Sequence, residues 1–203
     1  MGKYKLTYFN ARGFAEVARL ILKVNDVEFE DVRIEREQWP EMKPNTPQGK
    51  LPMLEIDGKK ICQSSAIWRR LAREFDMYGK DNDEATAIDT VLGSVDDLWP
   101  SMRQMAFGET EEIKNTAQKK VEEEVIPSFM NYLKGVLQEN AHPFLVGDKL
   151  SLADLAFFTA SEQIAVKFPD FMSKYPEVAK HRDRIAEIPK IKDWLSKRPV
   201  TEF

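Results

Sequence analysis

An α/β domain followed by an all-α domain is the fold class the sequence predicts. Three observations carry it. Strand-type alternation is confined to the first third of the 203 residues, it ends in an Asp-Gly hairpin signal, and everything after about residue 83 follows helical spacing. Residues 3–9 set Tyr4, Leu6 and Tyr8 against Lys3, Lys5 and Thr7, the period-two pattern of a half-buried strand. Residues 15–24 place Val17, Ala18, Ile21 and Leu22 at helical spacing. Residues 27–34 read as a second strand and 35–43 as a short, irregular helical stretch. Residues 53–56 and 60–62 are two more strands, joined by Asp57-Gly58, a dipeptide that favours a tight turn. Gln63-Ser64-Ser65 then opens a helix over residues 64–74, with Ser64 or Ser65 as its cap. The order β-α-β-α-β-β-α implies a mixed sheet, a crossover unit first and a hairpin at its edge.

Residues 77–82, apolar-poor and containing Gly79, read as a linker between a first domain over 1–76 and a helical one over 83–203. Ile88, Val91, Leu92, Val95, Leu98, Trp99 and Met102 mark one face of a long helix. Pro100 lies inside that pattern and is expected to kink it, because proline lacks the donor and clashes with the preceding turn. A second long pattern over 111–138 carries Pro127 in the same way. Ser151-Leu152-Ala153-Asp154 is a variant capping box, flanked by Leu150 and Leu155 at the staple positions. The run after it is apolar nearly all round, which marks the buried centre of the second domain. Pro176 and Pro189 each suit a first helical position.

Composition excludes several classes of function. The net charge is -4 and the basic residues are dispersed, which argues against nucleic acid and anionic membranes as partners. No apolar run approaches the ~18 residues of a membrane span. The single cysteine, Cys62, rules out an internal disulfide framework and suits a reducing compartment. The N-terminus lacks a signal-peptide segment, so the expected location is the cytoplasm. His142 and His181 have no metal-ligand spacing. What remains is the stretch from Trp39 to Ser65: an indole, Lys43, Gly49-Lys50-Leu51-Pro52 and a polar helix start. Backbone N–H groups at such a start suit an anion, so the stretch suggests a groove for a small charged ligand.

Several motifs together resemble a cytosolic glutathione transferase. They are Tyr8 closing the first strand, Ala11-Arg12-Gly13 opening the first helix, Leu51-Pro52, Gln63-Ser64 and the Ser-x-x-Asp box. The opening Tyr4-Lys5-Leu6-Thr7-Tyr8-Phe9-Asn10 and the Trp39-Pro40 pair resemble the sigma class, which includes invertebrate detoxifying enzymes and glutathione-dependent prostaglandin D synthases. The resemblance implies a thioredoxin-like first domain that holds glutathione as co-substrate, a cis bond at Pro52, and a helical domain supplying most of the second-substrate site. Asn10-Ala11-Arg12-Gly13 stands where redox members of that fold carry Cys-x-x-Cys, so disulfide exchange by that route is excluded.

By itself Tyr8 reads as a core tyrosine; the resemblance makes it the catalytic candidate, its hydroxyl donating to the glutathione sulfur. The resemblance also implies that Gln63 and Ser64 meet the γ-glutamyl end, Lys43 and Lys50 the glycyl carboxylate, and Leu51 the cysteinyl backbone. Trp39 and Gly49 complete that set, and Asp97 reaches across a homodimer interface. Without the resemblance, Lys43 and Lys50 are solvated surface lysines and the serines are helix caps. Phe9, Gly13, Phe14, Asp96, Trp99, Met102, Arg103 and Phe203 are the candidates for the second-substrate pocket. Phe203 either folds over its mouth or ends as a free terminus. Phe14 stands where sigma members often carry arginine, which favours a broad apolar site over recognition of a prostaglandin carboxylate. Gly93 replaces the first of three aspartates that hold a divalent cation in some sigma synthases, so no metal is expected.

The implied activity is conjugation of glutathione to small apolar electrophiles in detoxification, with reduction of lipid hydroperoxides as a variant. Prostaglandin H to D isomerisation is the rival within the enzyme class. Carriage of haem or lipid is the non-catalytic alternative.

Overall fold

Strands Tyr4–Phe9 (β1), Phe29–Ile34 (β2), Met53–Ile56 (β3) and Lys59–Cys62 (β4) form one sheet in the order β2-β1-β3-β4. The computed structural model from which this is drawn describes residues 2–201. β1 runs parallel to β2, and the two remaining pairings are antiparallel. A parallel pair needs a crossover, supplied here by helix α1 (Glu16–Val24), which is entered through a 3-10 turn at Gly13–Ala15. Asp57 and Gly58 take φ values of 49° and 84°, as a two-residue turn with both central residues left-handed requires. β1 departs from the half-buried expectation at one point. Thr7 is buried along with Tyr4, Leu6 and Tyr8, so the second half of this central strand is covered on both faces.

Helix α3 spans Ser64–Glu74, and neither serine caps it. Gln63 holds the N-cap position with φ 72° and ψ 115°, so Ser64 and Ser65 become its first two helical residues. The left-handed backbone at Gln63 turns the chain out of β4 one residue earlier than a serine cap would. Between β2 and β3 the chain forms a 3-10 turn (Arg36–Gln38), the one-turn helix α2 (Trp39–Met42) and a second 3-10 turn (Lys43–Asn45). Glu35 and Gln38 make a reciprocal capping box at its start.

The chain divides into two units. One runs to Tyr78 and takes in everything from Ala186 onward; the other is Gly79–Ile185. The last helix therefore groups with the sheet, whereas the helical spacing of the sequence places 83–203 in one domain. Buried charge explains why. Glu16 and Arg19 of α1 are both fully buried, and Arg19 Nη1 donates to Glu16 Oε2 at 3.0 Å. Arg19 Nε donates to Asp31 Oδ1 at 2.9 Å, and Arg33 Nε to Asp31 Oδ2 at 2.8 Å. Glu16 Oε1 receives Trp194 Nε1 at 2.8 Å and Arg198 Nη1 at 2.9 Å. A buried charge is tolerated only when paired in this way, so the carboxylate anchors the chain end against α1.

Burial by itself would push the Glu16 carboxyl up, but Arg19, Arg198 and the Trp194 N–H outweigh it and hold it below its ordinary value. A lowered carboxyl stabilises the fold above the unfolded-state value and loses that contribution as pH falls through the folded one. Glu16→Gln is thus expected to be less stable than wild type at neutral pH, with the gap closing on acidification below about 4.5. Urea melts of both proteins through the carboxylate range check this; a gap that stays constant contradicts it.

In the second unit, α4 (Asn82–Asp96) and α5 (Leu98–Phe107) replace the single long helix, with the break at Asp97. The proline ring of Pro100 clashes four residues back, at the Asp96 carbonyl, so the interruption precedes the proline itself. Pro127 acts likewise: α6 (Glu111–Lys120) passes into one π-type turn (Val121–Val125) before α7 (Ile126–Glu139). Helix α8 (Leu152–Lys167) buries Leu152, Leu155, Phe157 and Phe158 as the centre of this unit. Pro176 opens α9 (Pro176–Ala186) and Pro189 opens α10 (Pro189–Lys197). Among the described residues no helix is long and apolar enough to cross a membrane.

Candidate functional site

β1 delivers two tyrosines to one face, and their hydroxyls are used differently. Tyr4 Oη donates to Glu74 Oε1 at 2.6 Å. Burial, then that bond to a carboxylate, push its pKa up to about 12. Its proton is committed. Tyr8, two turns of the pleat along, accepts at Oη from the Phe14 backbone N–H at 3.4 Å. Gly13 makes this approach possible. Its φ is 39°, and a Cβ there would lie 2.6 Å from Tyr8 Oη, inside contact distance. Only glycine fits both the backbone and the space. Trp68 Nε1 donates to the Phe14 carbonyl at 3.1 Å, which ties the 3-10 turn before α1 to α3.

Next to Tyr8, the Phe9 ring meets it edge-on at 5.6 Å between centroids, and Trp39 meets Phe9 at 5.7 Å. Asn10 Nδ2 donates to Glu35 Oε1 at 3.1 Å, linking the β1–α1 turn to the capping box that leads into Trp39. Pro52 is buried and its bond to Leu51 is cis, as the resemblance implied.

Lys43, Gln48 and Lys50 lie exposed on the segment between α2 and β3. Gly49 has φ 58°, and a Cβ on it would come 3.3 Å from Lys43 Cε, so the lysine stem lies alongside it. Gln63, also exposed, donates from Nε2 to Gln48 Oε1 at 2.6 Å. Beyond it the N–H groups of the first turn of α3 have no carbonyl four residues back within the helix, the arrangement that favours a carboxylate. The first unit thus holds two groups of contacts, Tyr8, Phe9, Gly13, Phe14 and Trp39 at the end of β1, and Lys43 with Gly49 and Gln48 with Gln63 near the end of β4.

Of the candidates in the second unit, Asp96 ends α4, Asp97 is the junction, and Trp99, Met102 and Arg103 lie on α5. Asp96, Asp97 and Arg103 are exposed; Trp99 and Met102 are half-buried. Phe203 lies outside the described residues. No group of three or more His, Cys, Asp or Glu side chains suited to a metal occurs among the described residues. Gln48, Asn10 and Glu35 went unrecognised in the sequence. Only the Glu35-x-x-Gln38 spacing left a trace, as the reciprocal form of a helix-start box.

Two family models cover most of the chain: the glutathione S-transferase N-terminal domain over residues 4–73 and the glutathione S-transferase C-terminal domain over 96–198. The chain belongs to the glutathione S-transferase family. It is an enzyme of that class, a glutathione transferase with an α/β thioredoxin-like first domain and an all-α second one. It is 40% identical to "Probable glutathione S-transferase 5" of Caenorhabditis elegans and 33% identical to human "Hematopoietic prostaglandin D synthase", each match covering 100% of both chains. The solved structure of a Nu-class transferase from Haemonchus contortus superposes with a TM-score of 0.89 at 35% identity, again over 100% of both chains. One of these relatives of the glutathione transferase is named for the Nu class and another for prostaglandin D synthesis.

Proposed function

We propose that this glutathione transferase ionises glutathione at Tyr8 and adds the thiolate to apolar electrophiles. The observation that carries the reading is the Tyr8 hydroxyl, which accepts the Phe14 N–H beside Gly13, where a side chain would collide with it. Accepting a hydrogen bond polarises a phenol and strengthens it as a donor. A free thiol ionises near ~8.5, and a hydrogen bond to the charged form is worth roughly 1.5–3 kcal/mol, which corresponds to about one to two pKa units. Gln63, Ser64 and the start of α3 are assigned to the γ-glutamyl end, Lys43 and Lys50 to the glycyl carboxylate, and Leu51, Pro52, Gly49 and Trp39 to the middle of the tripeptide. To Phe9, Gly13, Phe14, Asp96, Trp99, Met102 and Arg103 we assign recognition of the electrophile. In this reading the protein is a cytoplasmic, sigma-class, homodimeric detoxifying enzyme, with Asp97 meeting the glutathione of the partner subunit.

Titrating glutathione on the enzyme by thiolate ultraviolet absorbance tests the proposal. An apparent value one to two units below ~8.5 is expected, and an unshifted thiol rejects the role of Tyr8. One observation favours a second reading. The 33% identity to a protein named hematopoietic prostaglandin D synthase makes prostaglandin H to D isomerisation the activity to assay beside conjugation. Phe14, an apolar residue in the 3-10 turn that leads into α1, supports broad conjugation in preference to it.

A further inference from the structure

The segment from Lys43 to Lys50 is pinned at three points. Thr46 Oγ1 donates to the Lys43 carbonyl at 2.8 Å, which closes the turn on itself. Lys60 Nζ donates to the Asn45 carbonyl at 3.4 Å, which holds the segment to β4. Gln63 Nε2 donates to Gln48 Oε1 at 2.6 Å, which joins it to the turn into α3. The last bond differs in kind, because both partners are exposed side chains and one of them leaves a left-handed backbone at φ 72°. Gln48 is followed directly by Gly49, against which the stem of Lys43 lies, and then by Lys50.

We infer that Gln48 is a positioning residue for glutathione. It braces the Gln63 amide before the ligand arrives and couples the γ-glutamyl end of the site to the lysine-bearing segment. The inference rests on the proposed role of Gln63 in holding glutathione. An unbraced glutamine side chain must lose rotamer freedom when it binds a ligand; one already held by a neighbour loses less, so affinity rises without a new contact to the ligand. The bond to Gln48 also fixes which face of the amide is left for the tripeptide. Gln48 touches no reacting atom in this scheme, so its effect falls on glutathione affinity and not on the chemical step.

Isothermal titration of the full chain with glutathione tests it in wild type, Gln48→Met, Gln63→Ala and the double variant, beside conjugation kinetics. Methionine matches the length of glutamine and deletes the acceptor. Gln48→Met is expected to weaken glutathione binding about fivefold, with kcat at saturating glutathione within twofold of wild type. In the Gln63→Ala background the same change is expected to have no effect, because the braced amide is already gone. Unchanged affinity in Gln48→Met overturns the inference, as does an equal loss in both backgrounds. Wild type without any glutathione binding overturns the functional reading itself, so the two failures are told apart.

Discussion

Tyr8→Phe is expected to lower kcat/KM for conjugation of 1-chloro-2,4-dinitrobenzene roughly 10- to 100-fold at neutral pH, with glutathione affinity changed by no more than a few fold. The substitution removes one oxygen and leaves the ring packed against Phe9, 5.6 Å away. In the proposed mechanism this removes a donor to the thiolate, worth roughly 1.5–3 kcal/mol, and each ~1.4 kcal/mol is tenfold in rate. The loss depends on pH in a definite direction. In the proposed mechanism the wild-type thiol is held about one to two units below ~8.5, so its rate levels off at lower pH. In the variant the thiol returns towards ~8.5, the rate keeps climbing with pH, and the gap narrows in alkali. Equal profiles for the two proteins would remove Tyr8 from the chemistry. Tyr4 is the control on the same face of β1. With its hydroxyl donated to Glu74 at 2.6 Å, Tyr4→Phe should leave the thiol titration where it is.

Why some of this was legible in the sequence and some was not follows from the range of the interactions. Asp57-Gly58 could be read because the turn needs two positive φ values from adjacent residues, a purely local demand. The helix breaks at Asp97 and at Val121–Val125 were legible in cause and misplaced in position, since proline disturbs the carbonyl four residues before it. The cap of α3 was misassigned for a related reason. Serine is the better capping side chain, but the backbone at Gln63 had already turned, and conformation took precedence over propensity. Glu16 and Arg19 were invisible to a reading that scores apolar spacing, because the partners Trp194 and Arg198 lie 178 and 182 positions from Glu16. At the candidate site, Tyr8, Gly13, Pro52 and Gln63 are assigned through motif resemblance; spacing alone points only to a polar helix start. Gln48 had neither motif nor periodicity, and only the fold reveals its partner.

Asp154 should be the most expensive single side chain to remove from the second unit. Its Oδ2 accepts the Ser151 backbone N–H and the Ser151 hydroxyl, each at 2.8 Å, and its Oδ1 accepts the Leu145 N–H at 2.8 Å. His181 Nε2 stands 3.2 Å from the same Oδ1, close enough for an ion pair though not aligned as a hydrogen bond. Asp154 is completely buried, so none of these groups can turn to water when the carboxylate goes. Each orphaned buried donor costs about 1–3 kcal/mol, so Asp154→Ala is expected to lose roughly 3–5 kcal/mol of stability. That corresponds to a fall in Tm of roughly 6–20 °C for a chain of this size. Asp154→Asn keeps one acceptor oxygen and should lose less. Ser151→Ala removes only the cap itself and should cost about 1 kcal/mol. The order of the three melts carries the argument. If Asp154→Ala melts no lower than Ser151→Ala, the carboxylate is only a helix cap. If it melts lowest, Asp154 joins the strand of chain at Leu145, the start of α8 and the His181 face of α9 at one point.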